Sequence, residues 1–197
     1  MGRIETGEKA LLTCVVLAFL LGIVGCYQSH VDVDGGDAET DADAEICADG
    51  WYDPATGLCW QDPPDETGRD WDHAVAYCDG LFLGGHADWY LPSISELRSL
   101  VRGCPTIQTG GACAVADTCL ETACSDLSCF ECEYGRGPGT DGAYWPPELG
   151  GGDDWYWSSS SNADDPRYGT FIQFHDGYLS FYAKWVVVHV RCVRPGP

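Results

Sequence analysis

The stretch of sequence that decides the fold occupies residues 88–103 and reads Asp88-Trp89-Tyr90-Leu91-Pro92-Ser93-Ile94-Ser95-Glu96-Leu97-Arg98-Ser99-Leu100-Val101-Arg102-Gly103. Pro92 favours an extended residue before it. Ser93 can then cap a helix, because the Glu96 carboxylate lies three residues later and can accept a hydrogen bond from the Ser93 N–H. Gly103 is expected to end this helix. One helix face is apolar and must pack against the rest of the domain. Its residues are Ile94, Leu97, Leu100 and Val101.

Residues 1–25 have the composition of an export signal peptide. Arg3 and Lys9 give a basic start, and residues 10–24 form an apolar run that is too short to span a membrane. The end of the run, Ile23-Val24-Gly25-Cys26, resembles the lipobox of bacterial lipoproteins, in which the cysteine is acylated and becomes the mature N-terminus. The resemblance implies that Cys26 is the lipidation site and that the protein is anchored to a membrane of the cell envelope. Tyr27 after the cysteine resembles lipoproteins that are sorted to the outer membrane.

Residues 26–46 are expected to form an acidic, disordered tether. They contain seven acidic residues, no basic ones and almost no bulky apolar side chains, so they cannot bury enough surface to become ordered. A calcium loop starting at Asp32 and Asp34 is the competing interpretation. Gly36 and Asp43 stand where that loop needs a ligand and its closing glutamate, so a solvated spacer fits better.

Residues 47–197 are long enough for one domain with its own core. They contain 22 acidic and eight basic residues, a net charge of −14. A domain with this charge repels phosphate backbones and sulfated polysaccharides, and the sequence has no basic stripe interleaved with aromatic residues. Nucleic acid is therefore excluded as an expected partner.

The chain has twelve cysteines, of which Cys14 lies in the signal peptide and Cys26 is the expected lipid site. An even number in an exported domain predicts disulfides. These ten residues are Cys47, Cys59, Cys78, Cys104, Cys113, Cys119, Cys124, Cys129, Cys132 and Cys192. Zinc or redox chemistry at Cys129-Phe130-Glu131-Cys132 is the alternative. That motif lacks a second cysteine or histidine pair, so no metal and no other cofactor is predicted.

The domain is predicted to be α+β. Turn residues at 53–57 indicate a hairpin closed by Cys47 and Cys59, followed by a polar loop at 61–69. Asp70 can cap a first helix that extends to Cys78. The remaining chain is rich in alternating aromatic residues, which predict strands. These strands occupy 155–159, 170–174, 178–182 and 185–193, and 186–190 are expected to form a central strand buried on both faces.

Residues 104–154 form a glycine-rich and cysteine-rich insertion that is long for a compact domain. Its six cysteines can make it rigid, although their connectivity stays open. Rigid exposed loops tend to carry binding groups. The aromatic residues of this insertion and its flank are therefore the predicted ligand contacts: Tyr144, Trp145, Trp155 and Tyr156. Alternatively, Pro146 and Pro147 pack Tyr144 and Trp145 against the sheet.

Several motifs together resemble the Lcl C-terminal domain family. They are Gly57-Leu58-Cys59-Trp60-Gln61-Asp62, Trp71 to Cys78, Gly85-His86-Ala87-Asp88-Trp89-Tyr90-Leu91-Pro92-Ser93, Trp157-Ser158-Ser159-Ser160 and Val190-Arg191-Cys192-Val193-Arg194. The resemblance implies a C-type-lectin-like architecture with two helices, a twisted antiparallel sheet and a long irregular binding region. It also implies that Cys47 pairs with Cys59 and that Cys78 pairs with Cys192.

No set of residues in the sequence forms a catalytic constellation. Trp89-Tyr90-Leu91-Pro92 resembles a segment of formylglycine-generating enzymes, but such an oxidase needs a reactive cysteine pair late in the domain, where only Cys192 stands. The motifs of calcium-dependent sugar-binding lectins are absent as well. The expected function is noncatalytic recognition or adhesion through a glycan or protein ligand. The alternative is a structural envelope lipoprotein without a dedicated ligand.

The lipobox resemblance predicts an acylated protein. Mass spectrometry of the membrane fraction should show Cys26 as the first residue with its acyl chains attached, because several chains give stable anchoring. Cys26→Ala should release the protein or leave the precursor uncleaved. A soluble protein that begins at another residue would contradict the prediction.

Overall fold

The amino-terminal hairpin has the turn that the sequence predicts. In this computed structural model, β1 (Gly50–Asp53) pairs antiparallel with β2 (Leu58–Gln61). The buried Asp53 side chain accepts hydrogen bonds from the Ala55 N–H at 3.1 Å and from the Thr56 hydroxyl at 2.9 Å. Gly57 closes the turn at φ +72°, where a side chain would be strained. The last strand, β8 (Val193–Pro195), adds to β2 and completes a sheet of order β1-β2-β8.

The structure describes residues 47–197 except 49, 131 and 153. The expected signal peptide at 1–25, the lipid site Cys26 and the tether at 26–46 lie outside the described residues. Within the described part of the chain, no helix is long and apolar enough to cross a membrane.

Both predicted helices are present with their predicted N-caps. Helix α1 (Trp71–Asp79) begins after Asp70, whose carboxylate accepts a hydrogen bond from the His73 N–H. Helix α2 (Ile94–Ser99) has the complete capping box: Ser93 and Glu96 each accept a hydrogen bond from the other's backbone N–H.

Helix α2 is shorter than the sequence predicts. It ends at Ser99 rather than near Gly103, because the following residues leave the helix to pack and pair elsewhere. Leu100 and Val101 are buried, and the Arg102 N–H donates to the Tyr144 carbonyl at 2.9 Å.

The second sheet has five strands in the order β3-β7-β4-β5-β6. Their bounds are β3 (Asp65–Arg69), β4 (Trp155–Ser161), β5 (Tyr168–Gln173), β6 (Tyr178–Ala183) and β7 (Val188–Val190). The pairs are antiparallel except β4 with β7, which run parallel with Tyr156 opposite His189. The expected mixture of helices and sheets is confirmed, whereas the five-stranded sheet is mixed rather than purely antiparallel.

Two strand predictions need correction. The expected polar loop at 61–69 contains β3, whose partner β7 is more than a hundred residues later in the chain. The expected central strand at 186–190 begins only at Val188, because Val187 is 65% exposed and lies outside the sheet. Val187 instead packs over Gly68 of β3, where a side chain would collide with it.

The ten cysteines of the described chain form five disulfides. Cys47–Cys59 closes the hairpin, and Cys78–Cys192 joins α1 to the residue before β8, so the structure contains both implied pairs. The other three lie in the cysteine-rich insertion and are nested in sequence, so that each pair of cysteines lies between the two cysteines of the next. They are Cys104–Cys132, Cys113–Cys129 and Cys119–Cys124.

A buried arginine also orders the cysteine-rich insertion. The Arg98 side chain of α2 is 5% exposed, and its guanidinium donates hydrogen bonds to the carbonyls of Ile107, Gln108 and Val115. Burial lowers the pKa of Arg98, although a guanidinium stays protonated in a protein. The insertion therefore wraps around a cation supplied by the helix.

Alternating residues of β4 divide the apolar interior into two clusters. Tyr156 belongs to a cluster with Ile94, Leu97 and residues of the insertion. Its neighbour Trp157 faces the other side of the sheet and packs with Ala74 and Cys78 of α1. Because strand side chains alternate between faces, one strand serves both clusters.

Arg191 connects the two sheets to the insertion. Its side chain is 1% exposed, and its guanidinium donates to the carbonyls of Gln61 and Gly150 and lies 3.4 Å from the Asp62 carboxylate. Burial lowers the pKa of Arg191, and the nearby Tyr156 and Asp62 oppose this effect.

Arg191→Met should lower the free energy of unfolding by roughly 3 kcal/mol, since it removes the counter-ion of Asp62 and the donor to the buried Gln61 carbonyl and the partly buried Gly150 carbonyl. Chemical denaturation of the oxidised protein measures this. Arg167→Met is the matched control: Arg167 is 74% exposed in an ion pair with Asp165, and its loss should leave the midpoint unchanged. Equal midpoints for the two variants would show that the Arg191 contacts contribute little.

Candidate functional site

Four aromatic side chains share one face of the five-stranded sheet and form what we call the aromatic face: Trp155, Phe171, Tyr178 and Tyr182. The strand register places them together, because Trp155 lies opposite Gln173, which in turn lies opposite Tyr178. The Trp155 and Phe171 rings stack with centroids 4.9 Å apart. Tyr178 and Tyr182 lie 5.4 Å and 5.6 Å from the Phe171 ring.

The four rings differ in their access to solvent. Phe171 is 1% exposed and lies beneath the other three rings. Tyr182 is 37% exposed, and Trp155 and Tyr178 are half-buried. Trp155 also contacts Tyr182 edge to face at 5.3 Å, so the outer rings support one another. The arrangement leaves three partly exposed rings around a buried one.

The cysteine-rich insertion extends the aromatic face at its β6 edge. The Phe130 ring lies 4.5 Å from the Tyr178 ring and is 46% exposed. It follows Cys129, whose disulfide to Cys113 holds this turn. The Ser125 hydroxyl lies 3.3 Å from the Ser180 hydroxyl of β6, a second contact between insertion and strand.

Polar groups lie between and beside the rings. The Gln173 amide nitrogen is 2.7 Å from a ring nitrogen of His175, and the His175 ring packs against Tyr134 at 4.4 Å. The Asp176 carboxylate accepts a hydrogen bond from the Tyr178 N–H at 3.0 Å. The aromatic face thus offers rings and hydroxyls, with a carboxylate at its border, whereas the Gln173 side chain is 9% exposed and its amide is bonded to His175.

Three of the four aromatic residues predicted as ligand contacts lie in the core, which corrects that prediction. Tyr144, Trp145 and Tyr156 are 3%, 0% and 2% exposed. Only Trp155 is part of the aromatic face. The interpretation in which Tyr144 and Trp145 pack against the sheet is the one that the structure supports.

The contacts of Trp145 explain its burial. Its ring lies 5.7 Å from Tyr156 and 5.1 Å from Phe174, and the Arg191 guanidinium lies 4.9 Å from its centroid. The hydroxyl of Tyr144 donates a hydrogen bond to the Glu133 carbonyl. The polar end of the Tyr144 side chain therefore lies at the surface of the insertion. The insertion is not a loop without a core, because its aromatic and aliphatic side chains complete the core.

Sequence reasoning missed Tyr178, Tyr182 and Phe130. The alternation Tyr178-Leu179-Ser180-Phe181-Tyr182 places both tyrosines and Ser180 on one face of β6, and this pattern was visible in the sequence. Phe130 could not be placed in this way, because its position depends on the disulfide connectivity.

The cysteine motif considered for zinc has no free thiols. Cys129 and Cys132 form disulfides with two different partners. In the described chain, the one group of side chains close enough to hold a metal ion is Cys119, Glu121 and Cys124, and its cysteines are bonded to each other. The described residues thus provide no thiolate ligand in the oxidised protein.

An open cleft of about 580 Å³ lies between the tip of the first hairpin, α2 and the insertion. The polar side chains that line this cleft already form hydrogen bonds with other groups of the protein. Burial alone would raise the pKa of Asp117, but hydrogen bonds from the hydroxyls of Ser93, Ser160 and Ser95 outweigh it and lower that pKa. Glu96 accepts hydrogen bonds from Tyr90 and Ser93. The cleft is therefore a weaker candidate than the aromatic face.

Trp145 is buried and Tyr182 is partly exposed, so removing their rings should change the free energy of unfolding by different amounts. Trp145→Ala should lower the free energy of unfolding by roughly 3 to 5 kcal/mol through the cavity that it leaves. Tyr182→Ala should lower it by about 1 kcal/mol or less, since it loses only pair contacts on a partly exposed surface. Thermal and chemical denaturation of both variants measure this, and equal losses would contradict the assignment of Tyr182 to an accessible face.

The domain matches the model of a known protein family. No curated protein matches the chain. The model of the Lcl C-terminal domain family matches residues 50–194, which include both helices, all strands except the end of β8, and the whole aromatic face. Since the match covers well over half of the sequence, the chain belongs to the Lcl C-terminal domain family.

Proposed function

We propose that the protein is a noncatalytic recognition or adhesion module that binds a glycan or a protein through the aromatic face. One observation carries the proposal: Trp155, Tyr178 and Tyr182 stay partly exposed around a buried Phe171 instead of turning inward. Partly exposed rings in contact with one another gain free energy when a ligand covers them. Aromatic residues are also the commonest anchors in binding sites.

The neighbouring part of the insertion enlarges this surface. Leu127 and Tyr134 are 82% and 70% exposed. Leu127 lies in the same helical turn as Phe130, whose ring packs against Tyr178, and Tyr134 packs against His175. Large apolar side chains with this exposure are the usual sign of an interaction site. The strands and the disulfides hold the surface rigid, which lowers the entropy lost on binding.

The proposed architecture is C-type-lectin-like. The support comes from two short helices, a disulfide from α1 to the residue before the last strand, an amino-terminal hairpin closed by its own disulfide and a long stapled insertion. We further propose that acylated Cys26 anchors the domain at the cell envelope, in the outer membrane, with residues 26–46 as a spacer. Membership of the Lcl C-terminal domain family is compatible with this placement.

The oxidase alternative requires a reactive cysteine pair late in the domain. Cys192 is bonded to Cys78, and this bond argues against the alternative. A structural lipoprotein without a ligand remains the competing function, and a binding experiment separates it from recognition.

The test is a binding screen with the full chain purified in detergent, on glycan and cell-surface protein arrays at moderate salt. We expect at least one ligand, and Tyr182→Ala should weaken its binding by about 2 kcal/mol while the protein stays folded. Phe82→Ala is the control, because Phe82 is a 72% exposed aromatic residue in the loop after α1. Blank arrays would favour the structural alternative, and equal losses for both variants would place the site elsewhere.

A further inference from the structure

The aromatic face has a regular spacing across the sheet. Trp155, Gln173 and Tyr178 form one row, because each lies opposite the next on β4, β5 and β6. Adjacent strands are about 4.8 Å apart, so Trp155 and Tyr178 begin roughly 9.5 Å from each other. The row therefore carries two partly exposed rings on either side of the buried Gln173, at a separation on the scale of two successive sugar units in a linear chain.

The charges around the aromatic face disfavour an anionic ligand. The residues that form the face and its polar edge include no basic side chain: Trp155, Phe171, Gln173, Tyr178, Ser180 and Tyr182. Lys184, two residues after Tyr182, is already engaged, since its ammonium group lies 2.7 Å from the Ser161 hydroxyl and 3.6 Å from the Trp71 ring centroid.

Acidic residues border the aromatic face instead. Asp176 lies in the turn before β6, and Asp126 and Glu133 flank the insertion residues Leu127, Phe130 and Tyr134. The domain as a whole carries a net charge of −14. Arg136 also lies at this border, but it is ion-paired with Glu133 at 3.3 Å, so sulfate and uronate groups gain little attraction there and are opposed by the overall charge. Charge complementarity thus favours a ligand without negative charge.

The chemical make-up of the aromatic face selects a glycan over a protein. A sugar ring presents C–H groups on its faces and hydroxyls at its rim, and it needs flat rings to stack on and amides or hydroxyls to bond. The face offers these groups through the Trp155 ring and the rings and hydroxyls of Tyr178 and Tyr182, and its four rings have no aliphatic side chain among them. The core of a protein interface is rich in Met and Arg beside its aromatic residues, and the face has neither.

We propose that the aromatic face binds an uncharged linear glycan, with sugar rings stacked on Trp155, Tyr178 and Tyr182. This inference rests on the proposed recognition function and names the ligand class of the same surface. Because the attraction comes from stacking and hydrogen bonding, affinity should be insensitive to salt between about 0.05 M and about 0.5 M.

The test is titration of the full chain in detergent with defined oligosaccharides. The probes are the hexamers of cellulose, chitin, xylan and amylose, with heparin and hyaluronan fragments as anionic comparisons. We expect calorimetric binding of at least one neutral hexamer, accompanied by a change in tryptophan fluorescence that Trp155→Phe abolishes. Neither anionic fragment should bind more tightly than that hexamer.

Variants connect the binding to the aromatic face. Tyr182→Ala should weaken binding of the neutral hexamer at least about tenfold, whereas Phe82→Ala, which removes an exposed ring outside the aromatic face, should bind like the unchanged protein. Near-identical melting temperatures exclude misfolding as the cause of the loss. If Tyr182→Ala and Phe82→Ala bind equally well, the sugar does not lie on the aromatic face and the inference fails.

The other outcomes separate this inference from the proposed function. Preferential binding of heparin, or binding of a cell-surface protein with no neutral hexamer bound, would overturn the glycan inference and leave recognition standing. No binding to any glycan or protein would overturn both.

Discussion

The buried guanidinium of Arg191 is the interaction on which the rest of the structure depends. It contacts the end of β2 through Gln61 and Asp62, the insertion through Gly150, and the aromatic core through Trp145 and Tyr156. A charge buried this deeply is tolerated only when hydrogen bonds and a counter-ion surround it. The three regions must therefore meet at one point, which fixes the insertion against both sheets.

Arg98 has a parallel role at the other end of the insertion. Its guanidinium donates to three carbonyls, of Ile107, Gln108 and Val115, and no carboxylate is among the contacts that the structure gives it. A loop becomes ordered when its carbonyl oxygens converge on a cation, as they do around a bound metal ion. Here the cation is a side chain of the protein itself. The insertion is thus organised from both sides by side chains of the scaffold, and the aromatic face gains a rigid neighbour.

The elements that could be predicted from the sequence are those that depend on local interactions. The capping box of Ser93 and Glu96 and the turn at Asp53 were predicted because all partners lie within a few residues. Strand β3 was missed, since Asp65–Arg69 is polar and becomes a strand only by pairing with β7. The burial of Trp145 stayed one of two open interpretations of the sequence, because its neighbours Phe174 and Arg191 are distant in the chain. Of the candidate site, the sequence identified Trp155 alone, and the alternation in β6 would have added two more residues.

The three disulfides of the insertion enclose one another, and this nesting bears on how the segment acquires its structure. Cys119 and Cys124 are five residues apart, so their bond closes a small ring at little entropic cost. Once that ring exists, the path that Cys113 and Cys129 must close is shorter, and the same holds next for Cys104 and Cys132. Each bond prepares the one outside it, and none has to thread through another. The insertion can be oxidised from its tip towards its base, an order that its nested topology favours.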